Sequence, residues 1–557
     1  MAKETPLSSR AFSKLRLILF TAEILTAVCT VATQFQVITG SIDVDESAHV
    51  RAKFRAAVYA HAAFIPRDET PVSRSQALEN MEINLKVFRE QAAQAHKQNV
   101  QILVFPEDGI YGMRFNRETI YPYLEYMPDP SIETWIPCKD PKRYNGTEVQ
   151  RSLSCMALEN GLYIVANIGD KQPCDPHTDP KCPGDGRYQY NTNVAYGPDG
   201  TFLAKYHKYN LFFEDQFDTP EASYVYFDTP FGRFGLITCF DVLFKEPAIP
   251  LVEDYNVTNI VFPTAWMDAL PLLPGIGFHS SFARTHHVNF LSANIHLPSF
   301  RFDGTGLYAP DGAIGFHYGR GDEGLSPELV VGEMEVLGEA ETRAAVASLH
   351  AVAARSDLSE IRIDDYSAPF QSGLFGDMYT FRTLDEPASK IGTCQGRLCC
   401  ELEYAIQADT FSDNELFAIG AFDGLHVLEG TYYMQNCALV KCAEAMNKSS
   451  CGSLVFNSST VFTKIALRGQ FQTPYVYPQV ILSDSEGHLQ ISKPGAWHFT
   501  GSTIETSHSF NGTVLNAILL GRDYTRDDAS VDGNSGSHLM VSFLVVISGL
   551  LGMKLLK

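Results

Sequence analysis

Residues 100–109 read VQILVFPEDG, an apolar run from Ile102 to Phe105 that stops at Pro106 and passes through Glu107 and Asp108 to Gly109. A run so dense in Ile, Leu, Val and Phe is a strand buried on both faces, and proline followed by acids and glycine ends it. Upstream, FRAAVYAHAAFI (54–65) is another such run, with a polar amphipathic segment from about Ser75 to Gln98 between the two. Strand, helix and strand at this spacing predict an α/β layer. Downstream the pattern continues through GLYIVANIGD (161–170), NTNVAYGPDG (191–200), TFLAKYHKYNLF (201–212), GRFGLITCFDVLF (232–244), VTNIVFPTAW (257–266) and VNFLSANIHL (288–297). Sheets built from such strands must be covered by other layers.

EVLGEAETRAAVASLHAVAARSDLSE (335–360) breaks the pattern and reads as a charged helical or loose connector, which puts a domain boundary within 334–367. Beyond it, CCELEYAIQ (399–407), FAIGAFDGL (417–425), TYYMQNCALVKC (431–442) and VLNAILLGRDY (514–524) read as strands separated by turns. A smaller, β-rich, disulfide-held domain is expected there. The full length of 557 residues suits two to four domains at ~150 residues each. With 45% hydrophobic and 19% charged residues the composition is that of a folded globular protein. A net charge of -22 repels phosphate backbones and anionic lipid surfaces, so nucleic acid is not an expected partner.

The two ends speak to compartment. Lys3, Arg10, Lys14 and Arg16 precede an apolar run from Leu17 to Ala32, so residues 1–33 read as a secretory signal peptide. At the other end a small, polar segment around Gly533, Asn534 and Ser535 precedes an apolar tail from Leu539, interrupted by Lys554 and ended by Lys557. Residues 534–557 therefore read as a glycosylphosphatidylinositol anchor signal with Asn534 as an attachment site, or as a short membrane span. Sequons at Asn145, Asn256, Asn447, Asn457 and Asn511 suit a secreted glycoprotein. Of twelve cysteines, Cys29 lies in the signal and Cys239 is wanted as a thiol, which leaves ten, an even number for disulfides. Cys174 with Cys182 and Cys442 with Cys451 are near enough for local loops, though connectivity as a whole stays open.

Hydrolysis of an unactivated amide needs a nucleophile, a group that takes and returns its proton, and a donor or positive group for the oxyanion. Glu107, Lys208 and Cys239 supply those types at the carboxyl ends of three apolar strands, where ligands gather in α/β sheets. The same residues also fit a buried core cysteine and a strand-end ion pair, and spacing alone does not decide between the two. His279, His286, His287 and His296 lack the spacing of a zinc site and read as structural histidines. The Arg320-Gly321-Asp322 triplet is a short motif expected by chance.

FPEDGIYG (105–112), YHKYNLFFE (206–214) and FGRFGLITCFDVLF (231–244), in this order, resemble the vanin and biotinidase family of the carbon–nitrogen hydrolase (nitrilase) superfamily. GRYQYNTNVAYG (186–197) and PTAWMDALPLLPGI (263–276) extend the resemblance, which runs from about Ala56 to Tyr524. It implies an α/β fold, a nitrilase-type αββα four-layer sandwich over 50–345, followed by a vanin-type C-terminal domain over 365–528. It implies Cys239 as nucleophile, Glu107 as general base and then acid, Lys208 at the oxyanion and Glu214 as an orienting carboxylate. It also implies Trp266 as a pocket residue, which equally fits a core aromatic. The Phe240 backbone N–H is the expected oxyanion donor, and Asp241 is expected to be structural. No metal or organic cofactor is implied. The substrate class is a small linear amide, pantetheine or, alternatively, biocytin; the tail and GRYQYNTNVAYG lean to the former, FEDQFDTP and FDTPFGRFG to the latter. A non-enzymatic adhesion ectodomain is a third reading, one that would lack a member of the triad.

Overall fold

The computed structural model describes residues 51–67, 70–319, 324–355 and 368–527. The signal segment 1–33, the anchor segment 534–557 with Asn534, and the Arg320-Gly321-Asp322 triplet lie outside the described residues.

Two six-stranded sheets carry the N-terminal part. The first is built from β1 (Lys53–Ala60), β2 (Ile102–Val104), β3 (Tyr163–Pro173), β4 (Arg187–Tyr196) and β5 (Phe202–His207). The second holds β6 (Tyr226–Thr229), β7 (Gly232–Leu236), β8 (Asn259–Thr264), β9 (Asn289–Asn294), β10 (Thr305–Ala309) and β11 (Gly312–His317). Strand β12 (Glu328–Glu335) returns to the first sheet, so the orders are β12-β1-β2-β3-β4-β5 and β11-β10-β9-β8-β7-β6. In each sheet two parallel pairings sit at the centre and antiparallel pairings flank them, β1-β2-β3 in one and β7-β8-β9 in the other.

Between the sheets Phe54, Ala56, Val58, Ile102, Val104 and Val165 of the first meet Phe234, Leu236, Val261, Leu291 and Ala293 of the second, all buried. Period-two alternation sends the other face of the first sheet, with Ala57, Tyr59, Leu103 and Ile164, to a helical layer. That layer is α1 (Arg74–Lys97) and α2 (Glu148–Asn160). Helix α1 starts where Ser73 Oγ accepts the Gln76 N–H at 3.2 Å, and it buries Ala77, Met81, Leu85, Phe88, Ala92 and Ala95 at helical spacing. Each large side chain so buried contributes about 1.5–3 kcal/mol.

The outer face of the second sheet is covered by α3 (Gly275–His286), whose Ile276, Phe278, Phe282 and Ala283 are fully buried. A helix buried on nearly every side needs cover beyond one sheet, and the C-terminal sheet supplies it. The connector expected within 334–367 begins as the end of β12 and continues as helix α4 (Glu339–Arg355). Twelve strands follow: β13 (Phe370–Leu374), β14 (Asp377–Thr383), β15 (Ala388–Gln395), β16 (Leu398–Ile406), β17 (Phe417–His426), β18 (Tyr432–Lys441), β19 (Val461–Gly469), β20 (Val476–Ser483), β21 (Leu489–Ile491), β22 (Trp497–Phe499), β23 (Thr503–Thr506) and β24 (Gly512–Arg522). Strand β20 lies on α3: Thr285 Oγ1 donates to Val476 O at 2.9 Å, and Gln479 Nε2 donates to Leu272 O at 3.0 Å. Gly277 permits the approach, because a Cβ there would stand 2.8 Å from Gln479 Oε1 and 2.9 Å from Ile481 Cδ1. The C-terminal domain is therefore a fifth layer on the αββα sandwich.

The ten cysteines set aside for disulfides pair as Cys138–Cys155, Cys174–Cys182, Cys394–Cys399, Cys400–Cys437 and Cys442–Cys451. Cys239 is a free thiol, and it is buried. Five bridges mark a chain folded in an oxidising compartment.

Candidate active site

Strands β2, β5 and β7 stop short of the residues they deliver. Glu107 lies three residues past β2, Lys208 directly follows β5, and Cys239, three residues past β7, opens a 3-10 turn, Cys239–Leu243. Glu107 Oε1 accepts Lys208 Nζ at 2.8 Å, and the same ammonium donates to Glu214 Oε2 at 2.5 Å. Both Glu107 and Lys208 are buried to within 2%. A charge so buried survives only when paired, and one cation between two carboxylates does that here.

Further donors meet both carboxylates. Glu107 Oε2 accepts the Ala265 N–H at 2.9 Å, and Phe212 N–H donates to Glu214 Oε2 at 3.0 Å. Asn191 Nδ2 bridges the two acids, at 2.8 Å from Glu107 Oε1 and 2.6 Å from Glu214 Oε1. Behind it, Asn167 Nδ2 donates to Asn191 Oδ1 at 2.6 Å and to Asn193 Oδ1 at 2.9 Å. Asn193 Nδ2 in turn donates to Ile237 O at 3.0 Å, two residues before the nucleophile. Three asparagines on β3 and β4 thus tie the acid–base pair to the thiol's strand. Sequence reasoning missed them; their signal was two asparagines, 191 and 193, spaced for one face of a strand that runs on into Val194-Ala195-Tyr196.

Cys239 has φ +44°, a left-handed backbone uncommon for a residue with a side chain. The turn that imposes it is held by Asp241, the carboxylate expected to be structural. Its Oδ2 accepts Thr238 N–H at 3.0 Å and the Tyr206 hydroxyl at 2.7 Å, and its Oδ1 accepts Asn210 N–H at 2.8 Å. The first amides of such a turn lack intrahelical partners, so the N–H of Phe240 is a ready donor. Phe240 itself packs edge-on against Phe212 at 5.1 Å and Phe244 at 5.0 Å.

Electrostatics set the resting protonation. Burial alone would lower Lys208, but the Glu107 and Glu214 carboxylates outweigh it and hold the ammonium well above its ordinary range. Burial and then the Glu107 carboxylate push the Cys239 thiol well up, against the pull of Lys208. Burial raises Glu214 too, with Lys208 opposing. The resting nucleophile is a thiol, so a base must take its proton during attack.

Trp266 is 5% exposed, donates Nε1–H to Leu273 O at 3.1 Å and stacks on Phe278 at 6.0 Å. Its backbone follows Ala265, which holds Glu107. Phe213, just before Glu214, is 59% exposed with φ +53° and touches Phe212 at 4.9 Å. The four histidines have separate partners: Ser292 for His279, Tyr477 for His286, Glu341 for His287 and Asp303 for His296. Among the sequons, Asn145, Asn457 and Asn511 are exposed, whereas Asn256 and Asn447 are half-buried.

The family model for the carbon–nitrogen hydrolases matches residues 72–266, and that for the vanin C-terminal domain matches 368–527. A pantetheinase of Sus scrofa is 44% identical over 504 residues, 89% of this chain and 93% of its own. The chain belongs to the vanin and biotinidase family of carbon–nitrogen hydrolases. A biotinidase of Takifugu rubripes is 42% identical over 494 residues, covering 86% of this chain and 96% of its own. Among solved structures, an amidase of Nesterenkonia from the nitrilase superfamily aligns with TM-score 0.36 and 19% identity, over 54% of this chain and 96% of that one. The family membership agrees with the α/β layer and β-rich C-terminal part read from the strand pattern, and with the αββα sandwich that the resemblance implied.

Proposed function

We propose that this chain hydrolyses pantetheine to pantothenate and cysteamine through a thioester on Cys239. The observation that carries the reading is the buried Glu107–Lys208–Glu214 network acting on Cys239, the one free thiol among the described residues, on a left-handed turn. Glu107 takes the Cys239 proton as sulfur attacks the amide carbon, and the oxyanion forms against Lys208 and the Phe240 N–H. The C–N bond then breaks, and the departing amine takes the proton from Glu107. A water next gives its proton to Glu107 while its oxygen attacks the thioester. The C–S bond breaks, the acid leaves, and the thiol regains its proton. Every step is a proton exchange at one carboxylate or a bond change at one carbon, and none needs a cofactor.

The pantetheinase relative, slightly more identical and matched over slightly more residues than the biotinidase, supports pantetheine as the acyl donor. Biocytin is the alternative, and one experiment separates them: steady-state hydrolysis of both by the purified ectodomain. The expected kcat/KM for pantetheine is at least tenfold higher, ~1.4 kcal/mol of transition-state preference. The reverse ratio makes the enzyme a biotinidase, and turnover of neither restores the adhesion reading. Phe213, exposed and next in sequence to Glu214, is the apolar contact offered to the substrate on this reading; Phe213→Ala is expected to raise KM several-fold and leave kcat near wild type.

The rest of the chain fits an enzyme working outside the cytosol. Residues 1–33 act as a removed leader, 50–345 as the hydrolase, 365–528 as the vanin-type domain and 534–557 as an anchor signal, with Asn534 carrying the lipid and the five sequons carrying glycans. Phosphatidylinositol-specific phospholipase C then releases the enzyme from cells, and retention after treatment identifies a membrane span instead.

A further inference from the structure

We propose that Arg522, in the last strand of the C-terminal domain, is a positioning residue for the nucleophile in the hydrolase domain; this rests on the assignment of Cys239 above. Its side chain is fully buried. Nε donates to Leu243 O at 2.8 Å, across the domain boundary, at the final residue of the turn that Cys239 opens. Nη1 donates to Tyr433 O, and Nη1 and Nη2 grip Asp527 at 3.1 Å and 2.8 Å. The guanidinium also lies over the rings of Tyr432, at 5.0 Å, and Tyr524, at 4.7 Å.

The turn is therefore held at both ends. Asp241 fixes its start, and Arg522 accepts the duty at its finish, where the last carbonyls of a helical turn have no internal partner. The domain boundary is closed around it by side chains as well. Tyr432 packs edge-on against Phe244 at 5.9 Å and Phe240 at 6.5 Å. Gly430 passes so near that a Cβ there would stand 2.9 Å from Phe240 Cζ. A five-residue turn with a left-handed first residue stores strain that its surroundings must hold, and Arg522, Tyr432 and Gly430 of the C-terminal domain are among those surroundings. Loss of the Leu243 anchor lets the turn relax, which moves Sγ of Cys239 and the Phe240 N–H away from the carbon they serve.

The test uses the full secreted chain with Arg522→Lys, which keeps a charge but has no planar fork, and Arg522→Met. Lys441→Met is the control, since it breaks the Lys441–Glu415 pair in the same domain away from the turn. Three quantities are read: melting temperature, kcat and KM for the better substrate, and the pH profile of Cys239 alkylation by iodoacetamide. Arg522→Lys is expected to lower kcat at least tenfold with KM within twofold and to shift the alkylation profile. Lys441→Met is expected to lower the melting temperature with kcat and alkylation as in wild type. A folded Arg522→Lys with wild-type kcat and alkylation overturns the proposal, and where Arg522→Met does not fold the Lys variant alone decides. Failure of the underlying assignment looks different, because wild-type turnover would then survive complete alkylation of Cys239.

Discussion

Asn191 donates to two carboxylates from one amide nitrogen, and that single group fixes the distance between the proposed base and its orienting partner. Asn191→Ala leaves both acids one donor short around Lys208. We expect kcat to fall by about ten- to a hundredfold, the scale of an ångström-level misplacement, with KM changed little; Asn191→Asp, which adds a third carboxylate, should be worse. Steady-state kinetics of the three proteins check this. The raised Cys239 thiol gives a second expectation, that alkylation by iodoacetamide accelerates towards alkaline pH without a plateau near neutrality. A plateau below pH 7 would mean a resting thiolate and would remove the need for Glu107 as base. Glu107, Lys208 and Cys239 were picked out through the family motifs around them, because a Glu, a Lys and a Cys at the ends of apolar strands also fit a strand-end ion pair and a buried core cysteine. The asparagines were not, since Asn in a sequence signals turns far more often than a buried ladder, and only the register of β3 on β4, with Asn167 opposite Asn193, brings them together.

At the scale of the turn, Asp241 governs how the nucleophile is held. Burial raises its carboxyl to about 6, even though Asn210 and Tyr206 donate to it. Below that pH it is protonated and the acceptors for Thr238, Tyr206 and Asn210 weaken, so kcat is expected to fall on an acid limb with a midpoint near pH 6. Stability moves the other way for this group. Its folded pKa lies above the ordinary 3.8, so its contribution is present below pH 3.8 and is lost as pH rises through about 6. Asp241→Asn presents an amide donor to groups that are themselves donors, which costs about 1–3 kcal/mol and flattens the acid limb. Melting temperature and the pH dependence of kcat, measured on wild type and variant, separate the two effects. The strand–turn reading of GRFGLITCFDVLF was available from its residues; the left-handed φ at Cys239 was not, because it goes with the Asp241–Thr238 bond inside the turn and with distant partners, Tyr206, Asn210 and Arg522, that the sequence does not place there.

For the whole molecule, the two domains are one packed body whose shared face carries ionisable groups. His426 lies fully buried between Asp377, at 2.7 Å, and Glu429, at 2.6 Å, near Tyr432 and hence near the nucleophile turn. Burial would lower its pKa, but the two carboxylates raise it from 6.5 to about 9. A raised histidine gives stability that is complete below pH 6.5 and is lost as pH climbs through about 9. The melting temperature should therefore decline over that window, and His426→Gln should lower it at pH 6 and remove the decline. The strand pattern revealed two layered domains, yet β12, β20 and the burial of α3 between two sheets were not visible in it. Such packing depends on contacts between residues some 200 positions apart, Thr285 with Val476 among them, which periodicity does not register.

The central claim is covalent, that an acyl group passes through Cys239. Rapid quenching of the enzyme with pantetheine in steady turnover, followed by peptide mass spectrometry, tests it most directly. The account predicts a pantothenoyl adduct on the peptide containing Cys239, released by hydroxylamine, and no adduct or turnover in Cys239→Ala. Turnover in Cys239→Ala at the wild-type rate, or an acyl group trapped on another residue, would contradict it.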